Sequence, residues 1–240
     1  MKKELLIGDM PIYHSAPDDG AKHPGLIVIH EIWGLVDHIK NVADRYAAAG
    51  YSVVAPDLFH DVKFEGTIDH ALLDEMRDPA TRDEAQKKMR AIMAPIQAPE
   101  YAVSALAKLK QCVDFLAADP HVTEKIAALG FCFGGTYSFH LAANNSRITA
   151  AIPFYGQPVK ADEIARITCP VLALYGEHDA GLIATLPDLK KGMSDAGKKF
   201  EAIVYPNTGH AFFNDTNTRM YNAEAAADAW KRSLAFLKQM

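Results

Sequence analysis

Apolar residues along the chain gather into short continuous runs separated by polar, helix-prone segments. Gly25 to His30, Tyr51 to Ala55, Lys125 to Leu129, Ile148 to Phe154, Val171 to Tyr175 and Phe200 to Tyr205 each read as strands. Their unbroken apolar character, rather than strict alternation, suits strands buried on both faces of a parallel sheet. Between them lie helical patterns: His38 to Ala49, with Gly50 as its stop, and Tyr101 to Ala118, where apolar residues recur at helical spacing. Arg219 to Lys238 reads as a long closing helix. The alternation predicts an α/β fold with a doubly wound, mostly parallel sheet and helices on both faces. One stretch breaks the rhythm. Phe59 to Gln97 is polar, charged and helix-prone, and it reads as an excursion over the mouth of a site rather than a second domain. The 240 residues therefore fit one domain, with a helical excursion at about 59–97.

Candidate chemistry sits where strands give way to loops. After Lys125 to Leu129 comes Gly130-Phe131-Cys132-Phe133-Gly134-Gly135, and then a helix-like Thr136 to Ala143. A strand, a Gly-x-Cys-x-Gly turn and a helix together read as the nucleophile elbow of an α/β-hydrolase, with Cys in place of the usual Ser. The glycines are needed because larger side chains collide in so sharp a turn. The turn lifts the nucleophile off the strand end and aims helix-start amides at a developing oxyanion. On this fold the acid and the histidine follow the nucleophile in that order. Asp179 lies just beyond the Val171 to Tyr175 strand, in Gly176-Glu177-His178-Asp179, and His210 follows the Phe200 to Tyr205 strand in Asn207-Thr208-Gly209-His210. Open α/β sheets place their sites at the carboxyl ends of the strands, so Cys132, Asp179 and His210 are expected to meet there as a triad.

These motifs, with His30-Glu31-Ile32-Trp33-Gly34, Ala55-Pro56-Asp57-Leu58 and Gly209-His210-Ala211-Phe212, resemble the dienelactone hydrolase family over most of the chain. The resemblance implies a cysteine hydrolase of small esters or lactones working through a thioester, without a cofactor. It implies that Glu31 engages the cysteine side chain in the resting enzyme, and that the backbone amides of Ile32 and Phe133 form the oxyanion hole. Trp33 and Arg82 are the substrate-binding candidates, Arg82 because Arg82-Asp83-Glu84-Ala85 fits the family's first carboxylate-binding arginine. The chain departs from the family at Asn214, where a second arginine belongs, and at Ala211, where a small hydroxyl is common. Losing a bidentate carboxylate contact weakens recognition of an acid such as dienelactone. The expected substrate is a related small ester, lactone or activated acyl compound. An acyl or thioester transferase on the same triad remains open, as does a ligand-binding or redox-sensing protein on a hydrolase scaffold.

Bulk properties narrow the partners. The net charge of −5, at 49% apolar and 23% charged residues, gives no electrostatic reason to expect nucleic acid or an anionic membrane. Met1 to Leu6 is too short an apolar run for a signal peptide, and no stretch is long enough to span a bilayer. Three cysteines, an odd number, do not suggest a disulfide scaffold, and Cys112 and Cys169 read as small core residues. His30-Glu31 lacks the second histidine of a zinc-binding helix, so no metal is expected. A cytoplasmic monomer or homodimer acting on a small molecule is the expectation.

Overall fold

A computed structural model describes residues 1–76 and 78–240, with only the backbone of His70. Its chain order is β1 (Lys2–Ile7), β2 (Met10–Ser15), β3 (His23–Ile29), α1 (Asp37–Ala48), β4 (Ser52–Pro56), α2 (His70–Glu75), α3 (Arg82–Gln97) and α4 (Pro99–Ala118). There follow β5 (Val122–Phe131), α5 (Phe133–Asn144), β6 (Ile148–Phe154), α6 (Ala161–Arg166), β7 (Val171–Gly176), α7 (Ala180–Asp195), β8 (Phe200–Tyr205) and α8 (Ala223–Leu237). The strands form one sheet in the order β1-β2-β4-β3-β5-β6-β7-β8. From β4 to β8 every pairing is parallel. The order runs one way from β3 to β4 and the other way from β3 through β5 to β8, which is the doubly wound arrangement.

Most of the apolar runs are buried strands; β8, at the sheet edge, is instead half-buried and exposes Glu201. Every residue of β4 and β7 is buried, as are Leu26 to Ile29 of β3 and Ile126 to Phe131 of β5. Helices cover both faces with amphipathic stripes: α1 buries Ile39, Val42, Ala43 and Tyr46, and α4 buries Ala105, Leu109, Cys112, Val113 and Leu116. Gly50 ends α1 at φ +97°, its amide donating to the Ala47 carbonyl at 2.9 Å, which is the left-handed stop that glycine favours. Pro99 opens α4 at a position where no amide partner is required.

The N-terminal hairpin of β1 and β2 has no counterpart in the strands read from the sequence. It pairs antiparallel, from Lys2 opposite Ser15 to Ile7 opposite Met10, turns at Gly8 (φ +64°) and joins the sheet through β4. Burial alternates along β2, with Met10, Ile12 and His14 buried and Pro11 and Tyr13 half-buried, and β1 is mostly exposed, so neither strand is a run buried on both faces. The stretch 59–97 contains α2 and α3. It packs partly around a small cluster of its own, Leu72, Ala85 and Ile92, distinct from the main core. Among the described residues no helix is long and apolar enough to cross a membrane.

Candidate active site

Cys132 stands at the junction of β5 and α5 with φ 55° and ψ −112°, a backbone conformation that L residues rarely adopt. Its amide donates to the Phe154 carbonyl at 3.0 Å, and the Gly134 amide donates to the His30 carbonyl at 3.0 Å, which ties the elbow to its neighbouring strands. A Cβ on Gly130 would lie 2.2 Å from the Gly134 carbonyl oxygen, and one on Gly134 would lie 2.2 Å from that of Ile29. Gly135 and Gly156 face each other just as closely: a Cβ on Gly156 would meet the Gly135 carbonyl carbon at 2.3 Å. The turn therefore fits only without side chains at these positions.

The two loops carrying the acid and the histidine are stitched together by the backbone. The His178 amide donates to the Thr208 carbonyl at 2.8 Å and the Glu177 amide to the Tyr205 carbonyl at 3.0 Å. Gly176 lets Gly209 approach so closely that a Cβ would sit 2.4 Å from its carbonyl oxygen. This contact brings His210 Nδ1 to 2.5 Å from Asp179 Oδ2. A carboxylate only accepts, so Nδ1 carries a proton and Nε2 is left for chemistry. Burial alone would lower the His210 pKa, but the Asp179 hydrogen bond and the Cys132 side chain outweigh it and push it up to about 10. Cys132, Asp179 and His210 line one cleft of about 400 Å³, with Ile32, Phe133 and Tyr155.

Glu31 is 2% exposed and lies in the loop just after β3, one residue beyond His30. Its Oε1 accepts from the Tyr155 hydroxyl at 3.2 Å and its Oε2 from Asn214 Nδ2 at 2.6 Å. Asn214 is itself fixed, its Oδ1 accepting from the Thr216 amide and hydroxyl at 3.0 and 2.7 Å. Burial raises the Glu31 pKa, against the opposing hydrogen bonds and the charges of His38 and His210. The Tyr155 hydroxyl ionises well above its ordinary value, first through burial and then through the charges of Glu31 and Cys132. The position that holds an arginine in the resembling family here supplies a neutral amide to Glu31.

The Glu31 shift has a stability consequence. A carboxyl whose folded pKa is raised costs nothing below about pH 4.5, where folded and unfolded chains both hold the proton, and destabilises the fold progressively above it. The Tm of Glu31→Gln minus that of the wild type is therefore expected to grow between pH 4 and pH 8. A flat difference in a thermal scan series would contradict the buried-charge account.

The backbone at Glu31 is held by His30. Its Nε2 accepts from the Leu58 amide at 3.1 Å, so its Nδ1 carries the proton and donates to the Glu31 carbonyl at 2.6 Å. Burial lowers the His30 pKa to about 4, so the ring stays neutral and clamps the β3 and β4 loops together. The ring stacks on Phe133 at 5.7 Å. Ile32 follows in this loop, and Phe133 begins α5, where an amide has no partner within the helix.

Of the other candidates, Trp33 lines an adjoining cleft of about 400 Å³ with Leu35, Phe59 and Phe64, and Ile32 borders both clefts. Arg82 is exposed at the start of α3, its Nε donating to the Met76 carbonyl at 3.3 Å, and is not among the residues lining the Cys132 cleft. Tyr155, the partner of Glu31, is not among the candidates read from the sequence, although it directly follows the Ile148 to Phe154 strand, at the sheet end where the fold keeps its chemistry. Among the described residues no group of three or more His, Cys, Asp or Glu side chains could hold a metal.

Comparison with known proteins agrees with this architecture. The family model of the dienelactone hydrolase family matches residues 10–240. A protein of Saccharolobus solfataricus, provisionally named carboxymethylenebutenolidase, is 36% identical over 230 residues, covering 90% of this chain and 89% of that protein. One of the same provisional name from Methylorubrum extorquens is 31% identical, covering all of this chain and 80% of that protein. The crystal structure of a provisionally named dienelactone hydrolase from Klebsiella pneumoniae superposes with a TM-score of 0.82 at 28% identity, covering 100% of this chain and 99% of that one. The sheet and the elbow define an α/β-hydrolase fold. The chain belongs to the dienelactone hydrolase family and is a hydrolase of carboxylic esters or lactones.

Proposed function

We propose that this enzyme cleaves small esters or lactones by covalent catalysis on Cys132. The observation that carries the reading is the meeting, in one cleft, of an elbow cysteine with an imidazole already held by a carboxylate. His210, oriented by Asp179, stabilises the Cys132 thiolate as an ion pair, since the thiolate is the reactive form of cysteine. Sulfur adds to the ester carbonyl carbon, and the electron pair moves to the carbonyl oxygen. The amides of Ile32 and Phe133 receive that oxyanion; one such donor is commonly worth about 3 kcal/mol. Collapse expels the alcohol, which takes its proton from His210 Nε2 and leaves a thioester. His210 then accepts a proton from water, the hydroxide displaces sulfur, and the acid departs. Glu31, held by Tyr155 and Asn214, sets the electrostatics beside the thiol. The 59–97 excursion acts as a wall of this site rather than a second domain, because Met93, Ile96 and Gln97 of α3 line the cleft.

Stoichiometric iodoacetamide tests the nucleophile without mutation. Cys112 and Cys169 are buried, and burial pushes their thiols up, Cys169 to about 11. Alkylation mapped by peptide mass is expected at Cys132 alone, in proportion to lost hydrolysis of p-nitrophenyl acetate. Full labelling of Cys132 with full retention of activity would remove it as the nucleophile.

A further inference from the structure

The same cleft holds a second imidazole–carboxylate pair that the proposed reaction does not use. His140 lines the cleft from α5, and its Nδ1 lies 2.8 Å from Glu163 Oε1 on α6. Glu163 also accepts from Asn144 Nδ2 at 3.1 Å and has Arg166 Nη2 at 3.8 Å. Three side chains from two helices, His140, Asn144 and Arg166, thus hold the Glu163 carboxylate that orients the ring. The carboxylate only accepts, so Nδ1 holds the proton. Nε2 is then the ring nitrogen left to meet a ligand, an acceptor whenever the ring is neutral. That nitrogen makes no hydrogen bond among the described residues.

Position gives this acceptor its meaning. Cys132, Thr136 and His140 are spaced four residues apart, hence on nearly one face of α5, and all three line the cleft. Eight residues of helix rise about 12 Å, and side chains lean back toward the N-terminus, so His140 stands somewhat less than that from the sulfur. The walls of the cleft carry Met93, Ile96, Tyr137 and Leu182. Among the described residues no Lys or Arg lines it. Thr136 is not a competing handle, because its hydroxyl already accepts from the Gln157 amide at 2.9 Å.

Resting on the Cys132 reading above, we propose that His140 is a specificity residue. It accepts a hydrogen bond from a distal hydroxyl on an uncharged, apolar acyl group, such as an arylpropanoyl ester hydroxylated at the far end of its ring. The acyl carbonyl would lie at Cys132, the ring between the apolar walls, and the hydroxyl at Nε2. Glu163 is a positioning residue acting through His140.

The test compares kcat/KM for methyl 3-(4-hydroxyphenyl)propanoate with that for its 4-methoxy analogue, within each variant. The wild type is expected to favour the hydroxyl by about tenfold, the worth of one good hydrogen bond in a partly enclosed site. His140→Phe should bring the ratio to within about twofold of unity, and Glu163→Gln should lower it. Because each ratio is internal to one variant, a general loss of stability does not move it. A wild-type ratio near one, or a tenfold ratio surviving in His140→Phe, overturns the assignment. Hydrolysis of p-nitrophenyl acetate, whose acyl group ends short of His140, reports on the parent reading. If it proceeds through Cys132 while the ratio is flat, only the role of His140 fails. If alkylated Cys132 still supports turnover, the parent reading fails and this proposal with it.

Discussion

Cys132→Ala is expected to lower kcat/KM for p-nitrophenyl acetate by at least about 10⁴-fold, with little change in Tm. The substitution keeps the Cβ and therefore adds no new demand on a backbone already at φ 55°. It removes one sulfur atom from a half-buried position at the cleft, not a core side chain. The elbow's backbone bonds, Cys132 to Phe154 and Gly134 to His30, involve main-chain atoms and survive. His210→Ala should cost about as much, and the double variant little more, because residues that act as one unit are strongly non-additive. Initial rates for the three variants, beside thermal scans, decide the matter. A Cys132→Ala enzyme within tenfold of wild type would mean that another group attacks the carbonyl.

Gly134→Ala is expected to destabilise the protein by more than about 4 kcal/mol, in the range reserved for severe core lesions, and to leave little folded enzyme. Its new Cβ would lie 2.2 Å from the Ile29 carbonyl oxygen, 2.6 Å from the carbonyl carbon and 2.7 Å from the His30 carbonyl oxygen. These are backbone atoms of the central strand β3 and the loop after it, neither free to give way. The collision also sits against the loop carrying Glu31 and Ile32, so activity would fall even in molecules that folded. Gly181→Ala is the matched control. It lies in α7 with nothing within 4 Å of its added Cβ, so the change is expected to stabilise by about 0.5–1 kcal/mol through helix propensity. Urea titrations of both variants measure the contrast. A Gly134→Ala protein within about 1 kcal/mol of wild type would show that the elbow has room to open.

The central strands were legible because burial on both faces demands continuous apolar sequence. Ile148–Phe154 and Phe200–Tyr205 agree with the observed strands to the residue. The placement of Cys132, Asp179 and His210 at strand ends was legible for a related reason: a parallel sheet puts loops of one end together, so local motifs carry long-range information. The partners of Glu31 were not legible in this way. Tyr155 and Asn214 lie 124 and 183 residues away along the chain, and nothing local in Phe154-Tyr155-Gly156 or Phe213-Asn214-Asp215 signals a buried carboxylate. Arg82 illustrates a different limit. The motif around it matches, yet the side chain is exposed at the start of α3 and is not among the residues that line the Cys132 cleft. Motif identity alone does not fix where a helix outside the sheet directs its residues.

The separate packing of the 59–97 excursion gives this enzyme an uneven capacity for change. Gly130, Gly134, Gly135 and Gly156 lock the reacting end against the sheet, where even a methyl group is excluded. Opposite them, Met93 and Gln97 come from a helix partly anchored by its own small cluster of Leu72, Ala85 and Ile92. A laboratory search for new substrate preferences should therefore randomise the α3 wall and leave the turn alone. Natural divergence among enzymes of this shape has the same route open: the chemistry stays fixed while the lining is exchanged.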